Sequence, residues 1–182
     1  MIQSGKFDSS YMDIKKLGNS VFIFLVKRII EIVGISISIL GIFIFTSLIS
    51  YSPSDPNFIF PDNVEIKNIL GFHGSYTSDL FFQSVGLIAY LIPITYFFTG
   101  INIFRNKEIF KLIGNTFFIV LYALIGSLFF SLYFENTFTL FINGNGGFVG
   151  NFLNSETIRE IILSYKDIFY FIFVLCIMLF FL

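Results

Sequence analysis

Apolar runs separated by short polar stretches set the pattern of this chain, and the runs have the length of membrane crossings. Residues 1–20 are polar, with Lys6, Lys15 and Lys16 set against Asp8 and Asp13 and no sustained apolar period, which reads as a short mobile arm. Val21–Val26 is apolar, but Lys27 and Arg28 follow it directly. Burying both would cost ~2.5–3.5 kcal/mol each. The first span is therefore predicted from Ile29 to about Tyr51, with Val21–Val26 as a juxtamembrane turn or two. Three more spans are predicted, at Leu80 to about Phe104, Leu112 to about Phe134 and Ile168 to Leu182. At 1.5 Å per residue, a ~30 Å hydrocarbon core needs ~20 residues, which the first three meet. The fold class is all-α: a membrane protein with four transmembrane helices and short amphipathic interfacial segments. Its domains are an arm and juxtamembrane turn over 1–28 and a four-helix domain over 29–182.

Small residues recur on one face of three spans. Gly34, Ser38 and Gly41 share a face of the first, and Gly86, Ala89, Pro93 and Gly100 of the second. Ala123, Ser127 and Ser131 do so in the third. Such faces let helix backbones approach closely in lipid. Pro93 is also expected to bend its span. Thr77-Ser78-Asp79 offers capping oxygens and a negative charge to the start of the second span.

The connections carry turn chemistry. Pro53 and Pro56 stop the first helix, and each stands second in a possible turn, Ser52–Asp55 and Asp55–Phe58, that folds the chain flat on the membrane surface. Asn143-Gly-Asn-Gly-Gly-Phe-Val-Gly150 invites a nucleotide-loop reading, but Val149 stands where the dinucleotide pattern needs glycine and no Gly-Lys-Ser/Thr follows. A turn or a shallow re-entry into the bilayer fits better, with Gly146 and Gly150 allowing close backbone contact. Beyond it, Ile158, Ile161, Ile162 and Tyr165 keep helical spacing against Arg159, Glu160 and Ser164. Thr157 and Glu160 are spaced as a capping box, so a short amphipathic helix is predicted in the interface.

Composition agrees with this pattern: 55% of residues are hydrophobic, 13% are charged and mean hydropathy is +0.84. A net charge of -1 leaves no basic footprint for holding nucleic acid. Eight of the eleven Lys and Arg residues fall in the arm and the loop after the second span, and three (Lys67, Arg159 and Lys166) in the other two loops. The positive-inside rule then puts both termini in the cytoplasm. A signal peptide is excluded because no Ala-x-Ala-like site precedes Tyr51 and the run is too long. Glu31 is an intramembrane carboxylate, but Lys27 and Arg28 one turn earlier make it an ordinary helical ion pair. His73 has no companion ligands at metal spacing, and Cys176 is a lone thiol in the last apolar run. No catalytic, cofactor-binding or metal-binding constellation is predicted.

The wording of Ser50-Tyr-Ser-Pro-Ser-Asp-Pro-Asn-Phe58, of Gly71 through Asp79-Leu-Phe-Phe-Gln83, and of Gly86-Leu-Ile-Ala-Tyr-Leu-Ile-Pro93 is similar to the N-terminal membrane domain of FtsK/SpoIIIE-type DNA translocases. The resemblance covers about residues 28 to 182. It is strongest from Ser50 to Gly100 and in Gly146-Gly-Phe-Val-Gly150, while the arm and third span match only in hydropathy. It departs at Ser78-Asp79, where the family has an Ala-Asp pair. The positions that carry it, as structural or interface residues, are Tyr51, Pro53, Asp55, Pro56, Asp79, Gly86, Tyr90, Pro93, Gly146, Gly147 and Gly150.

The resemblance implies a homo-oligomeric anchor at the division septum of the bacterial inner membrane. It also implies contacts with other cell-division membrane proteins and service to chromosome partition. DNA and ATP would be handled by a motor beyond residue 182. The last span, at 15 residues or about 22 Å of helix, falls short of the core and lacks a basic residue after it, so the gene is expected to continue past Leu182. The competing class is a small four-helix transporter or a subunit of another membrane complex. Against transport, the charged or amide groups within the spans, Glu31, Asn102 and Asn115 toward one surface and Gln83 toward the other, all stand away from the midplane.

Overall fold

The computed structural model describes residues 4–56, 65–134 and 142–181, and every regular element among them is helical. The elements are α1 (Ser4–Ile49), α2 (Gly71–Val85), a short 3-10 helix (Gly86–Tyr90), α3 (Leu91–Asn106), α4 (Lys111–Tyr133), α5 (Gly147–Leu153), α6 (Glu156–Ser164) and α7 (Lys166–Phe181). Three stretches, Lys16–Ile49, Gly71–Asn106 and Lys111–Tyr133, are long and apolar enough to cross a membrane. A fourth crossing is counted when α6 and α7, which meet at 93°, form one broken span.

Four boundaries differ from the sequence expectation. The polar arm is helical and continuous with the first span, so α1 is 46 residues long and passes through Lys27–Arg28 without a break. No proline interrupts it, and a helix satisfies its own backbone bonds on both sides of a membrane surface, so the bilayer boundary need not end it. The second helical stretch starts at Gly71, nine residues before the predicted Leu80. Thr77-Ser78-Asp79 therefore lies inside α2 and caps nothing: the Thr77 and Ser78 hydroxyls donate back to the His73 and Gly74 carbonyls. Helix α6 is entered from Ser155 in extended conformation, not capped by Thr157.

Finally, the distortion of the second span lies at Gly86, not Pro93. Gly86 has φ +69 and opens the 3-10 turn, whereas Pro93 sits in the first turn of α3, where no intrahelical N–H is required of it. The third and fourth spans begin close to their expected starts, α4 at Lys111 and α7 at Lys166.

The small-residue face of α1 meets Pro93 and Gly100 of α3, while Gly86, expected on that same face, packs instead on Asn145. A Cβ on Gly34 would lie 2.8 Å from the Gly100 carbonyl oxygen, and one on Gly41 would lie 2.8 Å from that of Pro93. Ser38 donates to the Phe97 carbonyl at 3.1 Å. Helices α1 and α3 therefore cross backbone to backbone, a contact that apolar bulk alone would not make in lipid. Helix α4 joins α3 through Thr95 and Tyr122, whose hydroxyls are 2.9 Å apart, and through Asn115, which donates to Thr99 at 2.7 Å. Helix α7 rests on α4 by stacking Phe173 on Phe129, with ring centroids 4.4 Å apart.

At one end of this bundle, which we call the basic end, Glu31 pairs with Arg28 and, at 2.6 Å, with Lys107. The expected partner Lys27 is replaced by Lys107 because the turn after α3 comes alongside α1. Lys107 ends α3 in the left-handed conformation, φ 62. The opposite, loop end gathers the connections that carry the family-like positions.

Candidate functional site

The loop end is built from two docked segments. The first begins where α1 stops. Asn68 donates from its amide to the carbonyls of Ser47 and Ser50, at 2.9 and 3.2 Å, satisfying acceptors that the end of a helix leaves open. Asp55 holds Asn68 in place: its two carboxylate oxygens accept the Lys67 and Asn68 backbone N–H groups at 3.0 and 2.8 Å. Asp55 is only 2% exposed. The turn that delivers it runs Ser52–Asp55, with the Asp55 N–H bonded to the Ser52 carbonyl at 3.1 Å and Pro53 exposed in the bend. The expected second turn, Asp55–Phe58, lies outside the described residues. Pro56 is buried, and its carbonyl accepts the Ser75 hydroxyl, while Ser47 donates to Gly74. The loop after α1 is thus pinned to both α1 and α2.

The second segment runs from Asn143 to Asn154 and docks where the second span is broken. The Leu87 N–H, left without a helical acceptor by the 3-10 turn, donates to the Asn145 carbonyl at 2.9 Å. Asn143 and Gln83 exchange two bonds, backbone N–H to side-chain oxygen and side-chain amide to backbone carbonyl, each at 3.2 Å. Glycine is required at the contact. A Cβ on Gly86 would fall 1.9 Å from the Asn145 oxygen, and one on Gly147, itself at φ +64, would fall 2.6 Å from the Gly86 nitrogen. Gly146 and Gly150 rest on α4, where a Cβ would approach the Ser127 oxygen to 2.4 and 2.3 Å. Helix α5 thus packs on the small-residue face of α4.

Asp79 links the halves. It is 3% exposed and accepts from Gln83 at 3.3 Å and from the Tyr51 hydroxyl at 3.5 Å. Phe82 is wedged between the Tyr51 and Tyr90 rings, with centroids 4.9 and 5.2 Å away. Of the positions singled out from sequence, Asp55, Pro56, Asp79, Gly86, Pro93, Gly146, Gly147 and Gly150 are buried, Tyr51 and Tyr90 are half-buried, and Pro53 alone faces out. Pro93 belongs to the α1–α3 crossing and not to the loop end.

Sequence reasoning gave no role of their own to Ser47, Asn68, Ser75, Gln83, Asn143 and Asn145. Their signal was polarity out of place: serines and amides flanking or interrupting apolar runs, where a buried polar group must find a partner. The loop end also exposes an aromatic pair, Phe148 and Phe152 of α5, 62% and 76% exposed with their rings stacked 6.2 Å apart.

The arrangement can present a shape. Among the described residues no group of three or more His, Cys, Asp or Glu side chains could hold a metal ion, and His73 makes ring contact with Phe72. Asp55→Ala is expected to lower stability by about 2–4 kcal/mol, because two buried N–H donors lose their acceptor. Asp55→Asn, which keeps one acceptor oxygen, should lose less. Thermal unfolding together with amide exchange at Lys67 and Asn68 checks the order: faster exchange at these two amides in Asp55→Ala is the expected result, and unchanged exchange would refute the role.

The family described as the 4TM region of DNA translocase FtsK/SpoIIIE matches residues 26–182. Among curated proteins, the DNA translocase FtsK of Rickettsia bellii (strain RML369-C) is 30% identical over 118 residues, 64% of this chain and 15% of that protein. That of Rickettsia typhi (strain ATCC VR-144 / Wilmington) is 36% identical over 89 residues, 49% of this chain and 12% of that protein. That of Azospirillum brasilense is 31% identical over 88 residues, 47% and 14% respectively. The matched segment is thus at most 15% of the length of these relatives. No solved structure matches significantly.

Proposed function

This chain belongs to the FtsK/SpoIIIE family of DNA translocases, as that family's 4TM membrane region, and from that premise we propose that it anchors an ATP-driven DNA motor at the division septum of a bacterial inner membrane. The observation that carries the reading is the match over residues 26–182, which takes in most of the first long apolar stretch, all of the other two and the docked loop end. The motor is assigned to a part of the protein outside this chain, whose sequence has no Gly-x-x-x-x-Gly-Lys-Ser/Thr phosphate loop. ATP and DNA are therefore partners of the whole protein and not of these residues. The anchor works as a homo-oligomer alongside other cell-division membrane proteins.

Both termini lie in the cytoplasm and the loop end faces outward in this reading. Its support is the charge split, since Arg28, Arg105, Lys107 and Lys111 crowd one end while the other connections hold Lys67, Arg159 and Lys166. A cysteine at Ser54 is expected to react with an impermeant maleimide on intact cells, and one at Asn106 only after permeabilisation. Reversed labelling would overturn the orientation.

Interaction with division proteins is assigned to the exposed parts of the loop end, the Pro53 turn and the Phe148–Phe152 pair. Asp55 and the buried glycines support that surface from within. Phe148→Asp with Phe152→Asp should leave insertion intact and reduce septal recruitment of a fluorescent fusion of the complete protein. Normal recruitment of the inserted variant would exclude this surface.

A further inference from the structure

Along the seam where α1 crosses α3 runs a cleft of about 240 Å³, lined by Gly41, Ile42, Phe45, Pro93, Ile94 and Phe98. None of its lining side chains is polar. The cleft follows from the crossing itself, because Gly41 lets the backbones touch and the larger side chains on either side leave a slot between them. Its volume holds about eight groups of ~30 Å³. That suits a single hydrocarbon chain, whereas a helix, ~10 Å across, lies over such a slot and does not enter it.

The same face of α3 leads to a cation. Arg105 follows Ile94 by eleven residues and Phe98 by seven, spacings that return to one side of a helix, at about 10–17 Å along its axis. That distance matches the ~15 Å half-thickness of a hydrocarbon core, from the phosphate level toward the midplane. The basic end holds five cations, Lys27, Arg28, Arg105, Lys107 and Lys111, against Glu31 and Glu108. Arg28 and Lys107 share Glu31, and Lys111 takes Glu108. Arg105 meets no carboxylate among the described residues and is exposed.

We propose that the cleft and Arg105 form one site for an anionic glycerophospholipid of the leaflet at the basic end, with an acyl chain in the slot and the phosphate on the Arg105 guanidinium. Charge complementarity selects the anionic headgroup, and the apolar lining selects the chain. The site stands apart from the translocase reading, since it needs only the α1–α3 seam and a bilayer.

The test uses the 182-residue chain in detergent micelles, titrated with phosphatidylglycerol or with phosphatidylcholine of the same acyl chains and read by native mass spectrometry. Wild type should retain one phosphatidylglycerol in preference to phosphatidylcholine. Arg105→Gln should lower phosphatidylglycerol retention about fivefold, the effect of one basic residue near an anionic surface, and leave phosphatidylcholine unchanged. Arg105→Lys should restore retention, which separates charge from folding. Ile42→Trp, which fills the slot, should lower retention of both lipids, while Ile113→Trp, on the exposed face of α4, should lower neither. Equal retention of the two lipids by wild type, or wild-type retention by both Arg105→Gln and Ile42→Trp, would overturn the proposal. So would a dimer that Ile42→Trp abolishes, because the slot would then belong to a second copy.

Discussion

Gly86→Ala is expected to destabilise the protein by about 3–5 kcal/mol. Two effects combine. At φ 69 and ψ -145, a conformation left almost wholly to glycine, a Cβ costs ~1–3 kcal/mol on its own. The same atom would stand 1.9 Å from the Asn145 oxygen, a backbone atom that cannot swing aside, so the glycine segment must lift and the Leu87–Asn145 bond must break. Gly144 supplies the control. Its φ is +70, but nothing lies within 4 Å of where its Cβ would be, so Gly144→Ala should show the backbone term alone. Unfolding midpoints in a mixed-micelle denaturation series measure the difference. Equal losses for the two variants would mean that the docking of Asn145 on Gly86 contributes nothing.

Gly100→Leu should be nearly as severe, at about 2–4 kcal/mol, through a different contact. A Cβ there would already lie 2.3 Å from the Ser38 hydroxyl and 2.5 Å from the Gly34 carbonyl, so leucine must push α1 away from α3 and sever the Ser38–Phe97 bond. The Glu31–Lys107 ion pair at the basic end would be strained by the same displacement. Gly114 lies in α4 with open space around it, so Gly114→Leu should change stability little. Distances between spin labels on α1 and α3 give the direct readout. An unchanged distance distribution in Gly100→Leu would refute the close crossing.

Periodicity was enough to find the faces that cross, though not which face meets which. Gly34, Ser38 and Gly41 on one helix and Pro93 and Gly100 on another are visible as small faces in the sequence, and those faces touch. The resemblance to the family was likewise legible in local wording, and the family match spans residues 26–182. What sequence could not reveal is which polar residue satisfies which distant backbone group. Asp55 meets Asn68 thirteen residues on and Asn143 meets Gln83 across sixty, separations at which spacing rules are silent. The misreading of Thr77-Ser78-Asp79 as a cap has the same origin: those residues suit a helix start, but Gly71 and the Asn68 side chain, which accepts the Leu70 N–H at 3.1 Å, start the helix earlier. Pro93 drew attention as a kink because its ring is a local obstacle. The actual break at Gly86 is held open by a partner that lies far along the chain.

That partner has a timing. Sixty residues separate Gln83 from Asn143, and a ribosome working at ~5–20 residues per second takes about 3–12 s to make them. Until then the Leu87 amide has no Asn145 carbonyl to bond, and the lowest-energy course for a chain already in lipid is to close the ordinary helical bond through Gly86. The 3-10 turn at Gly86 is therefore expected to form only when the glycine segment arrives behind α4. Amide exchange at Leu87 in chains halted before Asn143 checks this: protection equal to that of the finished chain would refute it.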